Sequence, residues 1–266
     1  MQRIKYPYYK KNVFLGKINL KENWKMDFYT AISRYYNYIF PLNSQQVEFI
    51  TASLFPGASI IEVGSATGNL TRALAEKGYR VVGIDLNESM VQTAKQEDAL
   101  PNLEYWHMDM LEVDKKFAEN SFSGVVCFGN TLVHLPTREK IFDFIKKTAK
   151  IIDARGWFFL QIVNYDRILR ERIKELPVIE NEKIKFERFY TISQAEKSVL
   201  FRTRLRVKNQ NRVYEQEVKL QALCREELER ALKESGFNKN EFFGDFKLTP
   251  YSVESPAIVV RAGLGS

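Results

Sequence analysis

Cysteine and long apolar runs are scarce in this chain of 266 residues. The two cysteines, Cys127 and Cys224, have no metal-ligand spacing between them, so neither a structural disulfide nor a zinc site is expected. No run of about 18 apolar residues exists, and the first residues, 1–7, lack the apolar core of a signal peptide. The sequence therefore predicts a cytoplasmic protein that has no membrane partner and holds no metal.

Long blocks of charge of one sign are also missing. The 40 basic and 33 acidic residues give a net charge of +7, but they are interspersed, which is typical of a solvated surface. The densest basic run, residues 202–208, alternates with apolar residues, as in an edge strand or a half-exposed strand. The charge pattern does not favour a nucleic-acid partner, and RNA binding is kept only as an alternative.

Residues 59–70 combine a short apolar strand, a turn of small residues and the start of a helix. The β-branched run at 60–63 is typical of a buried parallel strand, and Gly64 and Gly68 mark the turn. Glycine lets the backbone turn tightly and lets a ligand approach it closely, and free N–H groups at a helix start suit a carboxylate or phosphate. Two glycines four residues apart could also serve a purely structural turn.

Acidic side chains follow the next two predicted strands. Asp85 ends the strand at 80–85, about 20 residues after Gly64, and this spacing suits a carboxylate that accepts both hydroxyls of a ribose. Asp109 follows the strand at 103–107. Because parallel strands end at the same edge of a sheet, these acids should lie on one rim and form a nucleoside pocket.

Strands and helices alternate from residue 59 to residue 164, which predicts an α/β fold with a doubly wound, mainly parallel sheet. The pattern then changes to three strands without helices, at 183–190, 197–208 and 212–223. We therefore divide the chain into an N-terminal lid segment (1–43), a main domain (44–180 and 224–266) and an inserted antiparallel substrate lid (181–223).

The N-terminal segment is unusually aromatic. Its tyrosines either form a lid with their hydroxyls directed at a ligand or simply pack against the main domain. The tyrosines concerned are Tyr29, Tyr35, Tyr36 and Tyr38.

Three motifs resemble those of the Rossmann-like methyltransferases that depend on S-adenosylmethionine: the segments at 62–68, 83–85 and 107–109. The resemblance covers about residues 28–262. More narrowly, the segments at 128–135, 164–169 and 244–247 look like those of the glycine and sarcosine N-methyltransferases. The resemblance implies a seven-stranded sheet whose last strand is antiparallel, with a small sheet over the substrate mouth.

The cofactor implied by the resemblance is S-adenosyl-L-methionine. Its methionine end would approach the backbone of Gly64, Ser65 and Gly68. Its ribose would bind Asp85, and its adenine would contact Asp109 and Met110, with Leu86 and Met90 lining the adenosine pocket. The other predicted cofactor-binding residues are Tyr29, Tyr38, Glu62, Ala66, Thr67 and Phe128.

Methyl transfer from a sulfonium requires alignment of the reacting atoms in a dry cavity rather than a covalent residue. An amine acceptor must be unprotonated, and His134 is the candidate group to take its proton, although a lone histidine after a strand is more often a packing residue. Asn130 is the candidate for orienting the substrate. His134 and Asn130 are therefore the predicted catalytic residues.

The predicted activity is methylation of a small molecule, at an amine nitrogen. Residues 161–163 replace a segment that carries an arginine for the substrate carboxylate in glycine-specific members, so glycine itself is not the expected acceptor. Carboxyl or hydroxyl O-methylation is the alternative, but a hydroxyl of high pKa would need a strong base or a metal. A non-catalytic cofactor-binding or RNA-binding protein is the third possibility, and the sequence leaves the oligomeric state open.

Overall fold

The computed structural model describes residues 32–97, 100–210 and 212–265. The strands are β1 (Ser59–Val63), β2 (Arg80–Asp85), β3 (Leu103–His107), β4 (Phe122–Cys127), β5 (Ile152–Val163), β6 (Glu175–Glu180), β7 (Ile184–Ser193), β8 (Ser198–Val207), β9 (Arg212–Gln221), β10 (Phe237–Phe243) and β11 (Ala257–Leu264). The α-helices are α1 (Tyr36–Ile39), α2 (Ser44–Thr51), α3 (Asn69–Glu76), α4 (Glu88–Glu97), α5 (Val113–Lys116), α6 (Arg138–Ile151), α7 (Tyr165–Glu171) and α8 (Arg225–Glu234). Short 3-10 helices lie at Ser33–Tyr35, Met110–Glu112, Thr131–His134 and Lys208–Gln210.

A seven-stranded sheet forms the centre of the fold, in the order β10-β11-β5-β4-β1-β2-β3. The five strands from β5 to β3 are parallel to their neighbours, whereas β11 runs antiparallel between β5 and β10. The α/β class, the mainly parallel seven-stranded sheet and its antiparallel last strand are therefore confirmed. The residues of β4 are buried throughout, as expected for a strand covered on both faces.

The turn after β1 is fixed to the end of β2. In the parallel register Val63 lies opposite Ile84, and the backbone N–H groups of Gly64 and Ser65 both donate to the carbonyl oxygen of Ile84, at 2.8 and 3.0 Å. These bonds bring the carboxyl ends of β1 and β2 to the same height. The glycine turn and Asp85 consequently lie side by side at one rim of the sheet.

Strands β6 to β9 form a separate antiparallel sheet in sequential order. The sequence predicted three of these strands and missed β6, because Pro177 interrupts its pattern; proline is tolerated there since β6 lies at the edge. The basic strand β8 is not at an edge, so that part of the interpretation was wrong. It lies between β7 and β9, and its outward-facing Arg204 pairs with Glu215.

Arg138, at the start of α6, ties the antiparallel sheet to the main domain. Its guanidinium donates to the carboxylate of Glu227, to the side-chain oxygen of Gln221, and to the backbone oxygens of Ala222 and Lys197. The small sheet is thereby held in place above the carboxyl ends of the parallel strands.

The described part of the N-terminal segment bridges the two sheets. Ile32 and Ile39 pack in one buried cluster with Ile184 and Phe186 of β7. Tyr29 and the rest of the aromatic run before residue 32 lie outside the described residues. Among the described helices, none is long and apolar enough to cross a membrane.

Candidate active site

A cavity of about 440 Å³ opens at the carboxyl ends of β1 and β2, beneath the antiparallel sheet. Its volume lies within the range of small-molecule and cofactor sites. Eight of the sequence-predicted residues line this cavity. They are Gly64, Ala66, Asp85, Leu86, Met90, Asp109, Met110 and His134.

The two glycines of the turn do different work. Gly64 has a φ of 75° and lines the cavity, and a Cβ there would come within 2.5 Å of the Thr131 side chain. Gly68, with a φ of 84°, does not line the cavity, and a Cβ on it would collide with the hydroxyl of Tyr105. Gly64 therefore leaves room for the Thr131 side chain at the cavity wall, whereas Gly68 leaves room for Tyr105 of β3.

Asp85 is held rigidly at the cavity wall. Its Oδ2 accepts the backbone N–H of Ala66 at 2.9 Å, and its Oδ1 accepts that of Asn87 at 2.8 Å. Burial raises the pKa of this carboxyl above its ordinary value, and the two backbone hydrogen bonds oppose that rise. Each carboxylate oxygen can accept a further hydrogen bond, so the group suits a ligand with two neighbouring hydroxyls.

The neighbouring wall combines apolar side chains with a second carboxylate. Met90 is buried, and Leu86 is half exposed although its side chain is large and apolar. Asp109 accepts the backbone N–H of Leu111 at 2.9 Å and so caps the short helix that begins at Met110. This arrangement offers apolar surfaces and a fixed acceptor to a flat, polar-edged ring.

His134 lies across the cavity, in the short helix after β4. Burial lowers its pKa to about 4, so the imidazole is neutral at pH 7. Asn130 does not line the cavity. Its amide nitrogen donates to the Tyr165 hydroxyl at 3.0 Å, and its amide oxygen accepts the N–H of Val163 at 3.0 Å, so it joins the ends of β4 and β5.

The other predicted cofactor residues that the structure describes do not line the cavity. Glu62 is 6% exposed, accepts the Thr71 hydroxyl, and has its pKa raised to about 8 by burial. The Thr67 hydroxyl donates to the side chain of Asn37, and Phe128 packs on Phe246.

Ser65 and Tyr38 also lie away from the cavity wall. The hydroxyl of Ser65 is buried and makes no hydrogen bond to the described residues. Tyr38 is 48% exposed, and its contact with the antiparallel sheet is made by its backbone oxygen, which accepts the side-chain N–H of Asn181 at 2.9 Å.

Several cavity residues were not among the predicted site residues, although Tyr36 was one of the four tyrosines considered for a lid. Tyr36 lines the cavity instead of Tyr38, because residues two apart in the helix α1 point to opposite sides. Asn87, Thr131 and Val218 also line the wall. The aromatic cluster was the only sequence signal for Tyr36, and nothing local in the sequence indicated that Val218 of β9 would reach the site.

No three metal-binding side chains of the His, Cys, Asp or Glu type come together in the part of the chain that the structure describes. Both cysteines are free; Cys127 is buried and Cys224 is half-buried. The polar residues that line the cavity are Tyr36, Asp85, Asn87, Asp109, Thr131, His134 and Lys219.

Comparisons with known proteins agree with this geometry. Residues 60–156 match the model of a methyltransferase domain. The chain is 25% identical, over 222 residues, to YqeM of Bacillus subtilis (strain 168), whose assignment as a methyltransferase is itself provisional; the match covers 82% of this chain and 89% of that protein. The solved structure of the CcbJ methyltransferase from Streptomyces caelestis superimposes with a TM-score of 0.75 at 16% identity, and covers 91% of this chain and 100% of that one.

More distant relatives differ in the atom that they methylate. A ubiquinone biosynthesis O-methyltransferase of Coxiella burnetii (strain Dugway 5J108-111) is 29% identical over 126 residues, which are 46% of this chain and 51% of that protein. The glycine N-methyltransferase of Homo sapiens is 27% identical over 124 residues, which are 41% of this chain and 42% of that protein. The narrower resemblance to glycine N-methyltransferases is thus limited to less than half of either chain. Residues 60–156 thus match a methyltransferase domain, and the described residues have the Rossmann-like fold of the methyltransferases to which the chain is similar.

Proposed function

We propose that the cavity binds S-adenosylmethionine with its ribose on Asp85 and that the enzyme transfers the methyl group to an amine nitrogen of a small molecule. The observation that carries the first part is the Asp85 carboxylate, which two backbone N–H groups fix at the cavity wall while it keeps free acceptor capacity. A group held in this way is oriented before the ligand arrives, which lowers the cost of binding.

The rest of the cofactor follows from that anchor. Its adenine lies between the Leu86 and Met90 side and the Asp109 and Met110 side, and its methionine end lies against Gly64, where no side chain intervenes. The proposed role of Glu62, Ser65, Thr67, Gly68 and Phe128 is to support this pocket from behind.

We keep the two lids of the sequence-based division as part of this proposal. The antiparallel sheet covers the acceptor end, since Val218 of β9 lines the cavity. The segment that ends at residue 43 covers the cofactor end, since Tyr36 lines it there. Tyr29, which lies outside the described residues, and Tyr38 remain candidates for the outer part of that lid.

The cofactor supplies a methyl group on a sulfonium, and the chain has to present the acceptor in line with it. A group whose pKa is about 4 is a weak base toward an ammonium ion, so in this proposal His134 does not serve as the proton acceptor. We propose instead that its neutral imidazole accepts a hydrogen bond from an already neutral amine and aims the nitrogen lone pair. The apolar walls favour that neutral form, because removal from water disfavours the charged one.

Oxygen methylation is the alternative, and the match to an O-methyltransferase gives it weight. A hydroxyl acceptor must lose its proton as it reacts, however, and the weakly basic His134 offers little help with that step. The cavity therefore favours nitrogen over a hydroxyl oxygen.

Methyl-labelled S-adenosylmethionine tests this proposal directly. The enzyme is incubated with matched small acceptors that present an amine, a hydroxyl or a carboxyl on the same carbon skeleton, and the labelled products are identified by mass spectrometry. We expect label on nitrogen, and we expect His134→Ala to lower turnover while the affinity for S-adenosylhomocysteine is retained. Label on oxygen alone would refute the assignment to nitrogen.

A further inference from the structure

The inner face of the antiparallel sheet is apolar except for one row at its centre and the exposed Arg212 at its end. In the register of the sheet, Arg188 of β7 lies opposite Thr203 of β8, which lies opposite Gln216 of β9. These three side chains share one face, because directly paired residues in adjacent strands point the same way. The rows on either side are apolar or aromatic: Phe186, Leu205 and Tyr214 on one side, and Tyr190, Phe201 and Val218 on the other.

Two polar atoms of this row have no hydrogen-bond partner among the residues that the structure describes. Thr203 is only 4% exposed, and its hydroxyl oxygen is buried without one. The Nε of Arg188 is buried without one as well. The guanidinium makes a hydrogen bond through Nη2 to the carbonyl oxygen of Pro177, at 2.8 Å, and forms no ion pair with any carboxylate of the described residues.

Such groups are rare, because buried polar atoms in folded proteins nearly always have partners. A positive charge that is partly withdrawn from water and lacks a carboxylate is especially unfavourable. Burial accordingly lowers the pKa of Arg188 from its ordinary value. Two unsatisfied donors side by side indicate that their partner is an acceptor group that the described residues do not supply.

The row lies next to the cavity. Val218 lines the cavity wall and follows Gln216 by two residues on the same face of β9, a distance of about 7 Å along a strand. On its other side, the row adjoins Phe186 and Leu205, which pack in one cluster with Met90 of the cavity wall. The row therefore lies between two rows of the sheet that reach the cavity.

We propose that Arg188, Thr203 and Gln216 form a subsite for a small oxyanion, a carboxylate or a phosphate, carried by the methyl acceptor. This inference rests on the proposed function, since it describes the substrate of the same site. The guanidinium supplies charge and directional N–H donors, and the hydroxyl and the amide supply neutral donors beside it. An acceptor without the anion would leave the buried donors unpaired, so the row selects against it.

The test measures thermal unfolding of the full chain in chloride and after replacement of chloride by acetate or by inorganic phosphate, at constant pH and ionic strength. Each series is run with and without saturating S-adenosylhomocysteine. The variants are Arg188→Gln, which removes the charge, and Thr203→Val, which removes the unpaired hydroxyl but keeps the shape. Arg206→Gln is the matched control, because Arg206 lies on the exposed, opposite face of β8.

We expect one of the two oxyanions to raise the melting temperature of the wild type and of the Arg206→Gln control by about 2 °C or more. The larger of the two shifts identifies the group as carboxylate or phosphate. The shift should vanish in Arg188→Gln and shrink in Thr203→Val. The latter variant should be at least as stable as the wild type in chloride, since an unpaired buried hydroxyl has been removed.

Equal shifts in all four proteins, or no shift in the wild type, would overturn the inference. Calorimetric titration of the same proteins with S-adenosylhomocysteine separates this failure from that of the proposed function. If cofactor binding is retained while the oxyanion effect is absent, only the subsite is wrong. If the cofactor does not bind, the proposed function fails, whereas the series without cofactor still reports on the row.

Discussion

The two regions that face each other across the cavity differ in how their polar groups are satisfied. On the rim of the parallel sheet, Asp85 and Asp109 accept backbone N–H groups of the turns around them, and Ser65 is the exception, since its hydroxyl has no partner among the described residues. On the inner face of the antiparallel sheet, Arg188 and Thr203 keep donors without a partner among the described residues. The two carboxylates are thus oriented before a ligand arrives, as suits a constant cofactor, whereas in our proposal the donors of the antiparallel sheet are paired only by an acceptor of the right chemistry.

Among these variants, Arg138→Ala should have the largest effect, because Arg138 connects the antiparallel sheet to the main domain. The change leaves Glu227 without its half-buried partner and removes hydrogen bonds to β9 and its flanking turns, so we expect the free energy of unfolding to fall by about 3 kcal/mol. Urea denaturation measures this. The control is Arg230→Ala on α8, whose exposed ion pair with Glu234 should contribute less than about 0.5 kcal/mol. Similar losses of unfolding free energy in both variants would show that Arg138 does not hold the two regions together.

Asp85→Ala tests the rim alone. Loss of a charged acceptor for two ligand hydroxyls should weaken S-adenosylhomocysteine binding about 100-fold, as measured by calorimetry. Asp85 also holds the N–H groups of Ala66 and Asn87, so the melting temperature without ligand should fall as well. Asp153→Ala, at the opposite end of the sheet, is the control. An affinity that Asp85→Ala leaves unchanged would remove the ribose from this position.

Asn130 lies between the two regions, and Asn130→Ala should lower stability and turnover by a smaller amount. It leaves the N–H of Val163 and the Tyr165 hydroxyl without their partner and places alanine at a φ of 66°, so a loss of about 1–2 kcal/mol in stability is expected. Turnover should fall while cofactor affinity stays nearly intact, because the acceptor side is disturbed. Asn130→Gly relieves the backbone strain and isolates the hydrogen bonds. An equal loss of cofactor affinity would assign Asn130 to the rim.

The pH dependence of the free energy of unfolding tests the raised pKa of Glu62. Its pKa is raised from 4.5 to about 8, so the folded state holds a proton that the unfolded state has released. This contribution is fully present below pH 4.5 and is lost as the pH rises to about 8, at up to about 1.4 kcal/mol per pH unit. Glu62→Gln, which stays neutral, should flatten the decline seen in urea denaturation between pH 5 and pH 8. An unchanged slope in this variant would contradict the raised pKa.

The rim could be predicted from the sequence because its parts follow one another closely along the chain. The strand β1, the glycine turn and the acid after β2 each leave a local pattern, and the partners of Asp85 lie in the two adjoining turns. The alternation of strands and helices gave the parallel sheet for the same reason.

The covering region could not be predicted in this way. The row of Arg188, Thr203 and Gln216 exists only because the register of three strands aligns it, and no single strand reveals that register. Local patterns also failed for the edge strand containing Pro177, and for the choice between Tyr36 and Tyr38, which one short helix turns to opposite sides.

A crystal structure of the complex with S-adenosylhomocysteine tests the central claim most directly. We predict that the ligand occupies the cavity with both ribose hydroxyls on the Asp85 carboxylate, its adenine near Met110 and its amino-acid end against Gly64. A ligand bound elsewhere, or one in the cavity with its ribose away from Asp85, would contradict the assignment of this rim as the cofactor site.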